Sequence, residues 1–110
     1  MNLKLIPTPE FLRSVKKLYK KYRLITEDLK ELEKELITNP TSGIEIGNNS
    51  YKIRIPNSSI PTGKRGGFRV VYYYRGPNNK IYLLAIYSKT EIENISDRKL
   101  SDLLEKNGLL

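Results

Sequence analysis

Phe68 to Tyr74 and Ile81 to Tyr87 are two runs built almost wholly of β-branched, aromatic and aliphatic residues, and Gly76-Pro77-Asn78-Asn79 between them is turn chemistry. The pattern predicts a β-hairpin, entered through the glycine-rich basic stretch Gly63 to Gly67. Side chains alternate along a strand, so Arg69, Val71 and Tyr73 share one face of the first run, and Phe68, Val70, Tyr72 and Tyr74 the other. On the second run Leu83, Ala85, Tyr87 and Lys89 share a face. Putting that face beside Arg69 gives an open basic and aromatic surface opposite a core of Val70, Tyr72, Leu84 and Ile86.

Charge sharpens this expectation. From Ile46 to Thr90 the chain carries eight cations (Lys52, Arg54, Lys64, Arg65, Arg69, Arg75, Lys80 and Lys89) and no Asp or Glu, within a formal net charge of +8. Surface charge of one sign attracts polyanions, nucleic acid being the commonest, although a charge run can also be a merely solvated face.

The remaining segments read as cover for the hairpin. Leu3 to Ile6 is a short strand closed by Pro7; Thr8 can cap and Pro9 can open a helix reaching Tyr22, with Phe11, Val15, Leu18 and Tyr22 as its buried stripe. Cations from Arg13 to Arg23 occupy its remaining surface. A second helix starts at a Thr26 cap, with Glu27 and Asp28 suited to the positive end of its dipole and Ile25, Leu29, Leu32 and Leu36 buried, and it stops at Asn39-Pro40. Thr41 to Ser50 is a polar loop that can hold a brief strand at Ile44 to Ile46. Tyr51 to Ile55 alternates as a half-buried strand with Lys52 and Arg54 on its wet side. Thr90 with Glu93, or Ser96, can cap a last helix carrying Leu100, Leu103 and Leu104 to an Asn107-Gly108 stop.

The resulting order is β-α-α-β-β-β-α, an α+β fold with helices on one face of a twisted, mostly antiparallel sheet and the other face open. The 110 residues, 38% of them hydrophobic, suit one domain over 1–110. With neither cysteine nor histidine, disulfide, thiolate and ordinary zinc chemistry are set aside, and no metal or small-molecule cofactor is expected. No apolar run approaches the roughly 18 residues of a membrane span and no signal peptide is read at Met1, so the expected address is cytoplasmic.

Tyr51-Lys-Ile-Arg-Ile, then Gly63-Lys-Arg-Gly-Gly-Phe-Arg-Val-Val-Tyr-Tyr, then Leu83-Leu-Ala-Ile-Tyr-Ser-Lys resembles the core of the RelE/ParE toxin superfamily, nearest its HigB/RelE-type mRNA interferase branch. The resemblance covers essentially the whole chain. It implies the toxin of a type II toxin–antitoxin system, a metal-independent endoribonuclease that cleaves mRNA on the ribosome and is silenced by a cognate antitoxin. Carried over by position, Lys52, Arg54 and Arg69 match basic active-site positions, Lys89 falls near a basic cluster, and Lys64 and Arg65 match a basic loop. The chain departs from the family's proton-transfer residues: histidine is absent, and no tyrosine follows Tyr87.

Cleavage of RNA by its own 2′-hydroxyl needs proton removal, proton delivery and compensation of charge growing on the phosphate. Arg54 and Arg69 suit the last task, since a guanidinium offers phosphate a permanently charged planar fork. Lys89 or Lys64 is a candidate for proton transfer, Tyr87 or Tyr73 for donation, and Lys52, Lys64, Arg65 and Tyr73 for RNA contact. Two alternatives stand beside this reading: a noncatalytic ParE-like toxin acting on DNA gyrase, and an inactive nucleic-acid-binding relative.

Overall fold

The structure is a computed structural model that describes residues 3–61, 67–76, 79–89 and 94–110. In chain order it contains β1 (Lys4–Pro7), α1 (Pro9–Tyr19), α2 (Ile25–Thr38), β2 (Ile44–Gly47), β3 (Ser50–Ile55), β4 (Phe68–Tyr74), β5 (Lys80–Ser88) and α3 (Asp97–Lys106). The brief strand within the Thr41 to Ser50 loop is β2. One sheet holds all five strands in the order β1-β5-β4-β3-β2; β1 runs parallel to β5 and the other neighbours pair antiparallel.

Local chemistry fixes the element ends. Thr8 caps α1, its hydroxyl oxygen accepting from the Phe11 N–H at 3.3 Å while donating to the Leu83 carbonyl at 2.9 Å. The helix stops at Tyr19, short of the expected Tyr22, whose buried ring meets Phe68 edge-on at 5.5 Å. The second helix begins at Ile25, so Thr26 is not its cap; Leu24 holds that position without a side-chain bond, and its own N–H donates to Ser59 Oγ at 3.0 Å. Asp28 is buried and accepts from both the backbone N–H and the hydroxyl of Ser58, tying α2 to the loop after β3. Asn48 and Asn49, at φ of 53° and 59°, make the tight β2–β3 turn, a conformation that asparagine tolerates better than most residues. Ser96 caps α3, accepting from the Lys99 N–H at 3.1 Å, and Gly108 at φ 68° ends the last turn. The alternative cap at Thr90 and Glu93 lies outside the described residues.

Two cores flank the sheet. On one face α1 and α2 bury Phe11, Leu18, Ile25, Leu32 and Leu36 against Phe68, Val70, Tyr72 and Ile86. Tyr72 sits there because its polar end is satisfied: its hydroxyl donates to the Pro40 carbonyl at 2.9 Å and accepts from the Gly43 N–H at 3.0 Å. The opposite face is not left open as expected, since Leu100, Leu103 and Leu104 of α3 pack on Val71, Tyr73, Leu84 and Tyr87. Full burial of each such leucine is worth about 1.5–3 kcal/mol, which is why a helix with this stripe does not stay off the sheet.

A register irregularity in the β4–β5 pair corrects the assignment of faces on β5. Val71 pairs with Ala85 but Tyr72 with Leu83, so Leu84 is the extra residue of a bulge. Leu84 therefore joins the α3 core and Leu83 the α1–α2 core, the reverse of the expected alternation. Tyr82 likewise lies on the α3 side, its ring edge-on to Tyr73 at 6.1 Å.

Candidate nucleic-acid interface

Arg54 on β3, Arg69 on β4 and Tyr87 on β5 stand in one row across three neighbouring strands, because Arg54 pairs with Arg69 and Arg69 with Tyr87. Directly paired residues share a face. The next row on that face is Lys52, Val71 and Ala85. Sheet register thus brings three of the sequence-derived cations together.

Their environments differ. Arg54 is exposed and also borders a groove of about 460 Å³ that Glu31 and Glu35 of α2 help to line. Arg69 is only 4% exposed. Burial lowers its pKa, the neighbouring Arg54 charge lowers it further, and Tyr87 opposes both. Two like charges directly opposite on adjacent strands repel. Lys52 is half-buried, and its ammonium donates to Asn94 Oδ1 at 2.6 Å. Asn94 carries no sequence signal for this role.

The other candidates separate. Lys89 is exposed just beyond β5, its backbone N–H donating to the Gly67 carbonyl at 3.3 Å. Gly67 itself must lack a side chain: a Cβ there would lie 2.0 Å from the Ile55 carbonyl oxygen. Tyr73 is buried in the α3 core and shows no ring face for a base to stack on, which corrects its expected RNA contact. Tyr87 is in the row yet 6% exposed, and its hydroxyl is buried without a hydrogen-bond partner. Desolvation raises its pKa, against weaker opposing effects of the Ile95 backbone amide and the Arg69 charge. The group is a neutral phenol behind the surface and not a solvent-facing one. Lys64 and Arg65 lie outside the described residues.

The register places Arg54, Arg69 and Tyr87 side by side on three neighbouring strands of one sheet. The family model described as the ParE toxin of the type II toxin–antitoxin system, parDE, matches residues 5–93. Among solved structures, a double arginine-to-alanine mutant of the E. coli toxin RelE in the free state is similar in fold, with a TM-score of 0.63 at 19% identity over 96% of this chain and 98% of that one. No helix among the described residues is long and apolar enough to cross a membrane. With the family match spanning most of the sequence and the fold agreeing from end to end, the chain belongs to the ParE toxin family within the RelE/ParE superfamily, as the toxin of a type II toxin–antitoxin system whose partner is an antitoxin.

Proposed function

We propose that this toxin is a metal-independent endoribonuclease that cleaves mRNA held on the ribosome, in the cytoplasm. The observation carrying the reading is the cross-strand Arg54–Arg69 pair with Lys52 on the same face, a convergence of cations suited to a phosphodiester. In the reaction the 2′-oxygen attacks the adjacent phosphorus, the P–O5′ bond breaks, and a 2′,3′-cyclic phosphate forms. Arg54 and Arg69 stabilise the charge growing on the non-bridging oxygens. Lys89 delivers a proton to the departing 5′-oxygen, while the 2′-hydroxyl proton passes to water. Tyr87, with its hydroxyl buried, acts as a positioning residue behind Arg69 and does not touch the substrate. A ribosome that holds the RNA in line contributes much of the rate, so a modest set of proton-transfer groups suffices.

A second reading, action on DNA gyrase without catalysis, is favoured by the ParE family match over residues 5–93. Mapping mRNA ends on translating ribosomes, alongside gyrase supercoiling, separates the two. New 5′ ends that appear only with the toxin, and vanish with Arg54→Ala, support the nuclease. Intact mRNA with inhibited supercoiling transfers the function to gyrase.

A further inference from the structure

Between Phe11 and Thr26 the chain carries six cations (Arg13, Lys16, Lys17, Lys20, Lys21 and Arg23) and no Asp or Glu. The helix α1 buries Phe11 and Leu18 against the sheet, and at about 100° per residue Arg13, Lys16, Lys17 and Lys20 fall on its opposite side, as a ridge roughly 10 Å long. All four are exposed. The neighbouring α2 is rich in acids, but its Glu27 and Glu31 pair with Lys30 and Lys34 of their own helix, at 3.9 and 3.3 Å. Among the described residues, Arg13 alone of the six meets a carboxylate, that of Glu10 at 3.7 Å. The helix dipole favours Lys16 and Lys17 in the last turn, yet it accounts for neither Arg13 nor the absence of acids. Lys16 and Lys17 leave the helix about 100° apart, so the ridge sends charge to two sides. Tyr19, exposed beside it, already carries the Arg23 guanidinium over its ring at 4.9 Å, and Tyr22 is buried. The surface offers charge to phosphates and little stacking area to unpaired bases.

We propose that this ridge binds the sugar–phosphate backbone of an RNA duplex. A duplex sets regularly spaced phosphates on both edges of a groove, which cations pointing to two sides match, and it keeps its bases stacked inside, where this surface does not need to read them. The choice of RNA over DNA rests on the ribosomal setting proposed above. Arg54 and Arg69 lie on the α3 face of the sheet and α1 packs on the other, so the two basic surfaces serve different segments. One holds the strand to be cut; the other anchors the protein to folded RNA around it.

Fluorescence anisotropy of the isolated full chain with a labelled RNA hairpin of about 20 base pairs, and with a single strand of the same composition, between about 50 and 200 mM KCl, tests this apart from cleavage. The hairpin is expected to bind several-fold more tightly than the single strand. Lys16→Gln/Lys20→Gln should weaken hairpin binding at least about tenfold and reduce the salt slope by about two, while Arg54→Ala changes both little. Cosedimentation with ribosomes should fall in the same double variant. Hairpin binding that depends on the two lysines while mRNA on ribosomes stays intact would keep this surface and remove only the nuclease reading. Equal binding of hairpin and single strand, or unchanged hairpin affinity and slope in the double lysine variant, would overturn the proposal. Tighter binding of a DNA hairpin of the same sequence would overturn the assignment to RNA.

Discussion

The Lys52 ammonium reaches across the basic face to the Asn94 side-chain carbonyl, joining β3 to the segment that leads into α3. This bond holds a flexible cation in one orientation. Asn94→Ala should leave global stability within about 0.5 kcal/mol, since Asn94 is exposed, yet lower cleavage several-fold by releasing Lys52 from its fixed position. Single-turnover cleavage on saturated ribosome complexes, with urea unfolding in parallel, checks both halves.

Arg54 and Arg69 are unequal partners for mutagenesis. Arg54→Ala removes an exposed side chain, so cleavage should fall about a hundredfold or more with little change in melting temperature. Arg69→Ala removes a buried one and should cost about 1–3 kcal/mol of stability as well. Arg69→Lys should recover little activity, because a point charge does not reproduce the guanidinium fork. Parental cleavage by Arg54→Ala would move the reacting phosphate off this row.

Gly67 can be tested without any activity assay. Because a Cβ at this position would collide with the Ile55 carbonyl at the closing end of the β3–β4 ladder, Gly67→Ala should destabilise by about 3 kcal/mol or more. Gly47, which has no atoms within 4 Å of an added Cβ but a φ of 104°, should cost less when changed to alanine. Denaturant midpoints of the two variants would settle the order.

Alkaline stability follows from two tyrosines. Burial holds the Tyr87 and Tyr72 phenols above their ordinary pKa, in Tyr72 against the opposing bond from the Gly43 N–H. Above about pH 10 the unfolded chain has lost protons that these folded phenols still keep. Their contribution is therefore complete below about pH 10 and declines as pH rises through the higher folded values. Tyr87→Phe and Tyr72→Phe should each show a shallower loss of stability between about pH 9.5 and 11 than the parent. Parallel curves for all three proteins would show that the phenols are not the cause.

Much of the fold was legible because its signals are local. The composition of Phe68 to Tyr74 gave β4 its bounds, Thr8-Pro9 started α1, and Ser96 with Gly108 bracketed α3. What stayed hidden depends on register. Nothing in the apolar run Ile81 to Ile86 distinguishes Leu84 as the extra residue of a bulge, and that single residue decides which of Leu83 and Leu84 faces which core. The leucines of α3 disclosed a buried stripe but not which side of the sheet would receive it. The same limit applied to the site. Parity put Arg54 and Arg69 on wet faces of their own strands; only the ladder made them direct neighbours, and only α3 buried Tyr73.

The pairing of β1 with β5 has a consequence for how the protein comes into being. Thr8 and the Leu83 carbonyl that it binds are separated by 75 positions, and Lys4 aligns with Lys80. During synthesis at about 5–20 residues per second, the amino-terminal strand and both first helices emerge seconds before the strand that completes them. Until then the nascent chain carries its arginines on an unfinished frame. The cell making this toxin is thus given a short interval, set by translation and not by any inhibitor, before the finished surface exists.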